Sequence, residues 1–417
     1  MNSLTFLPIF LIFLLTSCGI FTKKPVEPIP PINTINPVEK LQVDINSILQ
    51  DDLFKSASIG INVISTETDE ILYSKNSLRL HHPASTTKLF TAATALIKLG
   101  TDFQFETTLY TDTNTETDVR NNIYLKGRGD PVLNIDDIEE LAFILVESGV
   151  KSILGDIIVD ESYFDSVREG PGWMWDDKPF QLSALSIRSI EPEKNMGSRA
   201  IACGHILKKK IIEYGIVVSG KVTSGEVPSS AIIISQNLSP PLGQIIRFMN
   251  KPSDNWIAEF LFKTIGAEVK GVPGTWRKGR EAITEFLNEI LTEPPPHRFV
   301  DGSGLSRYNL TSSELLTKLL YHMHKQFEIM PEFLSSLPIA GVDGTLRNRM
   351  QGMYAEKILR AKTGTLSGVS ALAGYTVTAD GEVLVFGILI SHYLGTSANA
   401  RGIQDKIGNI LTEFSRH

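Results

Sequence analysis

The 417-residue sequence predicts an α+β fold, an antiparallel sheet covered by helices and carrying a β-rich insertion. Three observations carry that prediction. Hairpin patterns stand at opposite ends of the chain, over residues 57–73 and 359–390. Strongly periodic helices lie between and after them. Between residues 103 and 235 the helical pattern gives way to short β-rich pieces.

The first seventeen residues carry no charge and hold an apolar run over 4–15, too short to span a bilayer but suited to an export signal. The usual basic start is missing from Met1-Asn2-Ser3. The run ends in Leu15-Thr16-Ser17-Cys18, which resembles the lipobox of bacterial lipoproteins, so Cys18 is expected to carry lipid and anchor the chain to a membrane. Cleavage of a plain secreted protein at a small-residue site is the alternative. Residues 18–37, with Pro25, Pro28, Pro30, Pro31 and Pro37, read as a stiff tether. If Cys18 is lipidated, Cys203 has no disulfide partner and is expected to be a small core residue.

Folding is expected to begin with a helix over 38–49, then strands 57–65 and 70–73 around the polar turn 66–69. A helix over 85–99 is marked by Leu89, Ala92, Ala93, Leu96 and Ile97 on one face, with Pro83 before it and Gly100 to stop it. The insertion reads as strands 105–110, 153–159 and 216–222, one amphipathic helix over 138–147, and long loops. Helical periodicity returns over 242–249, 256–265, 279–291 and 314–323. Strands 359–363, 370–378 and 382–390 follow, the last two joined through Ala379-Asp380-Gly381, and a helix over 397–414 ends the chain. The expected organisation is one domain from 38–102 and 236–417, interrupted by an inserted domain, 103–235.

Three short elements could do chemistry. Ser85-Thr86-Thr87-Lys88 opens the 85–99 helix, where residues three apart share a face and the Lys88 amine reaches the Ser85 hydroxyl. A desolvated lysine loses its charge and serves as the base a serine nucleophile needs. The pattern alone is equally that of a capping serine and a solvated lysine. In Ser253-Asp254-Asn255, Ser253 is expected to face the lysine pair and Asn255 a substrate amide; the same segment also reads as a helix cap. In Lys362-Thr363-Gly364-Thr365, strand alternation sends Lys362 and Gly364 to one face. Lys362 would give a fixed positive charge to a substrate carboxylate, and Gly364 would let a substrate backbone lie close.

Together and in this order, the three elements resemble the motif set of penicillin-binding proteins and serine β-lactamases. Ser85 and Ser253 are 253 − 85 = 168 residues apart, more than a compact β-lactamase needs. That spacing, with Pro171-Gly172-Trp173-Met174-Trp175-Asp176-Asp177, Asp301-Gly302-Ser303-Gly304-Leu305-Ser306-Arg307 and Gly341-Val342-Asp343-Gly344-Thr345-Leu346, resembles the penicillin-binding protein 4 family of D-Ala-D-Ala carboxypeptidases and endopeptidases, peptidase family S13. The resemblance implies a transpeptidase fold with a five-stranded antiparallel sheet. It implies Ser85 as nucleophile, Lys88 as its base, Ser253 as proton relay and Asn255 as holder of the substrate peptide. Lys362 and Thr363 would bind the terminal carboxylate, with the Ser85 and Thr365 N–H groups around the oxyanion. Asp177 and Arg307 match family positions that bind the far end of the stem peptide's diamino acid; structural ion pairing is their competing role. Peptidoglycan stem peptides are the implied substrate and β-lactams the covalent inhibitors.

A β-lactamase, an esterase of the same fold, or an inactive peptidoglycan-binding lipoprotein are the alternatives. The full set of Ser85, Lys88, Ser253, Asn255 and Lys362 speaks against a mere binding module. A net charge of −7 with no long basic run argues against a nucleic-acid partner. No metal and no cofactor are expected: His81-His82 is the only histidine pair, no His-Glu-x-x-His occurs, and no glycine-rich phosphate loop precedes a helix.

Overall fold

The computed structural model describes residues 36–112, 118–175, 177, 180–190 and 198–417. The expected export signal, Cys18 and almost all of the tether lie outside the described residues.

The main sheet has five antiparallel strands, in the order Arg360–Leu366, Val369–Val377, Val383–Ser391, Ser58–Ser65 and Ile71–Lys75. The N-terminal hairpin therefore pairs with the C-terminal one, Ser58 opposite Ser391 and Ser65 opposite Leu384. Between the last two strands, Gly381 takes the left-handed conformation (φ 94°) and its N–H bonds the Thr378 carbonyl at 3.0 Å, as the Asp-Gly turn predicts.

Both faces of this sheet are buried, and side-chain alternation divides them. Leu384, Phe386, Ile388 and Ile390 meet Leu41, Ile45, Ile403, Ile407 and Leu411 from the helices Pro37–Ile48 and Ser397–Glu413. Ala371, Tyr375, Val385 and Leu389 face the opposite way. They share a core with Leu89, Phe90, Phe260, Phe286 and Leu316 from the helices Thr87–Leu99, Asn255–Lys270, Trp276–Ile290 and Ser313–His324. The result is helix, sheet and helix in three layers, with the Ser85 turn against the Arg360–Leu366 edge.

Residues between Phe105 and Leu238 build two further sheets. One runs Ile232–Leu238, Glu106–Thr111, Ile123–Gly127, Ile157–Asp160, Val222–Ser224; the other runs Val119–Arg120, Ser152–Ile153, Val217–Val218. The expected single strands 153–159 and 216–222 are thus each two strands that change sheet. They break where Gly155 and Gly220 meet, and a Cβ on Gly220 would stand 1.9 Å from the Gly155 carbonyl oxygen. The helix Arg199–Glu213 was expected to be loop. Strands 123–127, 157–160 and 222–224 are parallel neighbours, and parallel pairing needs crossovers, which Ile135–Glu147 and Arg199–Glu213 supply. Cys203 lies in the core between that helix and the sheet, as expected, where burial pushes its thiol up to about 12.

Candidate active site

Ser85 occupies one 3-10 turn, Ala84–Thr86, that runs directly into the helix Thr87–Leu99. The turn is tied to itself: the Thr86 hydroxyl donates to the Pro83 carbonyl at 2.7 Å and Thr87 to that of Ala84 at 2.9 Å. Ala84 is held at φ 47°, a conformation a non-glycine residue reaches only at a cost of about 1–3 kcal/mol. Two glycines hold it there from either side. A Cβ on Gly304 would lie 1.8 Å from the Ala84 oxygen, and one on Gly364 would lie 2.7 Å from the Pro83 oxygen. Gly364 points inward with Lys362, as alternation predicts. The nucleophile's own turn lies close against it.

Lys88 is wholly buried one turn along. Its amine donates to Ser85 Oγ at 3.0 Å, Asn255 Oδ1 at 2.7 Å and the Ser303 carbonyl at 2.8 Å. Burial pushes its pKa from 10.5 down to about 8, against the nearby charges of Glu259, Asp301 and Asp254, which raise it. This is the environment of a base that gives up its proton near neutrality, and the reading of Lys88 as a solvated surface lysine does not hold.

The second motif divides its labour differently from expectation. Asp254 caps the helix Asn255–Lys270, accepting the Ile257 N–H at 3.0 Å, and pairs with Arg188. Asn255, at the first helical position, is the residue that faces the lysine: its oxygen binds Lys88, which leaves its NH2 group for a substrate. Ser253 sits before the cap at φ 66°, and its hydroxyl makes no hydrogen bond among the described residues.

Lys362 is also wholly buried, its amine donating to the Thr363 carbonyl at 3.0 Å. Burial pushes its pKa well below the usual lysine value, and the charge of Lys88 pushes the same way. A substrate carboxylate beside Lys362 would act in the opposite direction and favour its charged form. Thr363 donates its hydroxyl hydrogen to Thr345 Oγ1 at 2.7 Å, and Thr365 is exposed on the same face. Thr345 in turn bonds the Lys251 carbonyl through its N–H at 3.1 Å, while Lys251 pairs with Asp343 at 2.6 Å. The loop 341–346 thus ties the Lys-Thr-Gly strand to the segment before Ser253.

Asp177 and Arg307 are not brought into contact with this cluster or with each other by any hydrogen bond or ion pair among the described residues. The Asp177 carboxylate accepts its own turn's Met174 N–H at 2.8 Å. Arg307 reaches the Ser367 carbonyl at 3.5 Å, beside the end of the Lys-Thr-Gly strand. Sequence reasoning missed two buried carboxylates behind Lys88, Glu259 and Asp301. Glu259 was legible as an acid set between Ala258 and Phe260 in an otherwise apolar helix stretch.

Residues 41–190 and 187–414 match the D-Ala-D-Ala carboxypeptidase 3 (S13) family. The chain belongs to that family. A D-alanyl-D-alanine carboxypeptidase of Actinomadura sp. (strain R39) is 31% identical to it, over 91% of this chain and 85% of its own. The crystal structure of penicillin-binding protein 4 from Haemophilus influenzae is 25% identical with a TM-score of 0.78, covering 87% of this chain and 97% of its own. A predatory peptidoglycan endopeptidase from Bdellovibrio bacteriovorus shares the fold, at 20% identity and a TM-score of 0.60, over 85% of this chain and 92% of its own. As an S13 member the chain is a serine peptidase of the D-Ala-D-Ala carboxypeptidase class on the penicillin-binding protein fold.

Proposed function

We propose that Ser85 Oγ attacks the carbonyl of the penultimate D-Ala of a peptidoglycan stem peptide, with Lys88 taking the hydroxyl proton. The Ser85–acyl bond forms, the peptide C–N bond breaks, and the proton passes to the leaving amine through Ser253. Water then hydrolyses the acyl-enzyme. The oxyanion lies between the Ser85 and Thr365 N–H groups, Asn255 holds a substrate amide, and Lys362 with Thr363 takes the terminal carboxylate. Asp177 and Arg307 reach the diamino acid, a carboxylate for its amino group and a guanidinium for its carboxylate. Release of a terminal D-Ala and cleavage of a cross-link are the same step with different leaving amines. The protein acts outside the cytoplasm, where its substrate lies. Cys18 carries the lipid that anchors it, residues 38–102 and 236–417 form the acyl-transferase domain, and 103–235 the inserted one.

The observation that supports this most is the 3.0 Å contact between the Ser85 hydroxyl and a buried amine whose pKa is pushed down to about 8. The Haemophilus relative has also been solved with a β-lactam. Intact-protein mass spectrometry after penicillin treatment tests the reading: one adduct is expected, on the peptide holding Ser85, and none in Ser85→Ala. An adduct that persists in that variant defeats the mechanism. Anchoring is tested by Cys18→Ala, expected to move the protein from the detergent phase to the soluble exported fraction. Failure of labelled fatty acid to enter at Cys18 leaves plain secretion instead.

A further inference from the structure

Behind Lys88 the peptides of Gly302 and Ser303 form a bridge between two helices. Their carbonyls point to the nucleophile helix, Gly302 accepting from Thr91 Oγ1 at 2.8 Å and Ser303 from the Lys88 amine at 2.8 Å. Their N–H groups point the other way, and both donate to one oxygen of Glu259, at 3.1 and 2.7 Å. The second Glu259 oxygen accepts Trp276 Nε1–H at 2.7 Å. A Cβ on Gly302 would stand 2.5 Å from the Ala258 carbonyl oxygen, so the bridge lies tight against the Glu259 helix. Asp301, next in the chain and equally buried, accepts from the Gly304 and Ser306 N–H groups, Asn309 Nδ2 and Trp173 Nε1.

We propose that Glu259 is a positioning residue for Lys88: it aims the Ser303 carbonyl at the amine and couples the amine's charge to a buried carboxylate pair. The inference rests on Ser85 and Lys88 acting as proposed above. Chemistry assigns the two acids different parts. Four donors hold Asp301 and three hold Glu259, so Asp301 is the better stabilised anion. Burial and the Asp301 charge push Glu259 up from the usual carboxylate range, while burial pushes Lys88 down. The charge Glu259 carries when ionised helps retain the proton on Lys88. The other titratable groups facing Lys88 are Lys362, from the Arg360–Leu366 strand, whose own affinity for a proton the Lys88 charge lowers, and Asp254 with its partner Arg188, whose carboxylate raises that of Lys88. Facing Glu259 are Asp301 and, from its own helix, Lys263, itself paired with Asp165.

Neutralising Glu259 without disturbing the bridge separates aim from charge. In Glu259→Gln the amide oxygen still accepts both N–H groups, but the NH2 would meet Trp276 Nε1–H, donor to donor; adding Trp276→Phe removes that conflict. The experiment is the limiting acylation rate by a fluorescent penicillin, followed across pH for wild type, Trp276→Phe, Glu259→Gln/Trp276→Phe and Glu259→Ala. The acid limb of the double variant is expected to move to lower pH by about one unit, with its plateau within a few-fold of wild type. Trp276→Phe alone, which leaves the carboxylate less stabilised, moves the limb the same way by less. Glu259→Ala, losing aim as well as charge, drops the plateau at least about tenfold. A purely structural Glu259 would lower thermal stability and leave every limb in place. Coincident limbs in wild type and both Trp276 variants therefore overturn the inference while the Ser85 adduct still forms; absence of that adduct in wild type overturns the proposed function and this inference together. If Glu259→Ala or the double variant does not fold, Trp276→Phe still decides on the limb.

Discussion

Gly364→Ala and Gly304→Ala together test how closely the Ser85 turn is held. The new Cβ at 364 would stand 2.7 Å from the Pro83 carbonyl oxygen and 3.1 Å from the Cβ atoms of Ala84 and Ala371. Ordinary contact begins near 3.4 Å, so the strand and the turn must part by about 0.7 Å. Crowding on that scale costs about 1–3 kcal/mol of stability. Since misplacing a reacting group by about 1 Å costs about a hundredfold in rate, acylation should fall roughly tenfold. At 304 the conflict is larger: the new atom would lie 1.8 Å from the Ala84 oxygen, and the residue's φ of 80° suits only glycine. Parting by about 1.6 Å, plus about 1–2 kcal/mol for the left-handed backbone, should cost more in both stability and rate. The assay is acylation of Ser85 by fluorescent penicillin, with stability measured by urea unfolding. Wild-type acylation in Gly364→Ala, or a Gly304→Ala enzyme faster than it, refutes the account of a turn pinned from two sides.

Two further outcomes are expected. With Lys88 at about 8, about a hundredth of it is neutral at pH 6 and about a tenth at pH 7, so the limiting acylation rate should rise about tenfold over that interval and level off above about pH 9; a flat profile removes Lys88 as the base. Cys203, buried and with its thiol pushed up to about 12, should resist thiol reagents in the native protein and react fully in denaturant; prompt native labelling would contradict its place in the core.

The main sheet and its helices were legible because each carries its own punctuation: Pro83 and Gly100 around one helix, Asp380-Gly381 between two strands. Ser85, Lys88 and Lys362 were legible because helix and strand periods fix which side chains share a face. The inserted region was less so. Strands of two to five residues carry too little alternation to show that residues 152–160 change sheet at Gly155. The helix Arg199–Glu213 has a proper stripe in Ala200, Cys203, Leu207 and Ile211, but Lys208-Lys209-Lys210 interrupts it with charge. Asn255 rather than Ser253 meets Lys88 because a helix begins at 255, and a boundary shifted by one or two residues is what sequence reads least well. Glu259 stands out as an acid in an apolar helix stretch, but what it holds was hidden because its partners lie 17 to 44 residues away.

The pairing of Ser58–Ser65 with Val383–Ser391 also sets when this enzyme can first work. Synthesis delivers the chain from its N-terminus, so Ser85 and Lys88 emerge hundreds of residues before Lys362 and the strand that seals the sheet. The parallel-stranded region between them has its own apolar core and can settle while the rest is still arriving. Until Arg360–Leu366 arrives the Ser85 turn lacks its seat, and until Val383–Ser391 arrives Ser58–Ser65 has only one of its two neighbours and that seat is not joined to it. A chain that ends before these strands therefore carries its nucleophile unarmed, and truncation anywhere ahead of Ser391 should abolish acylation of Ser85.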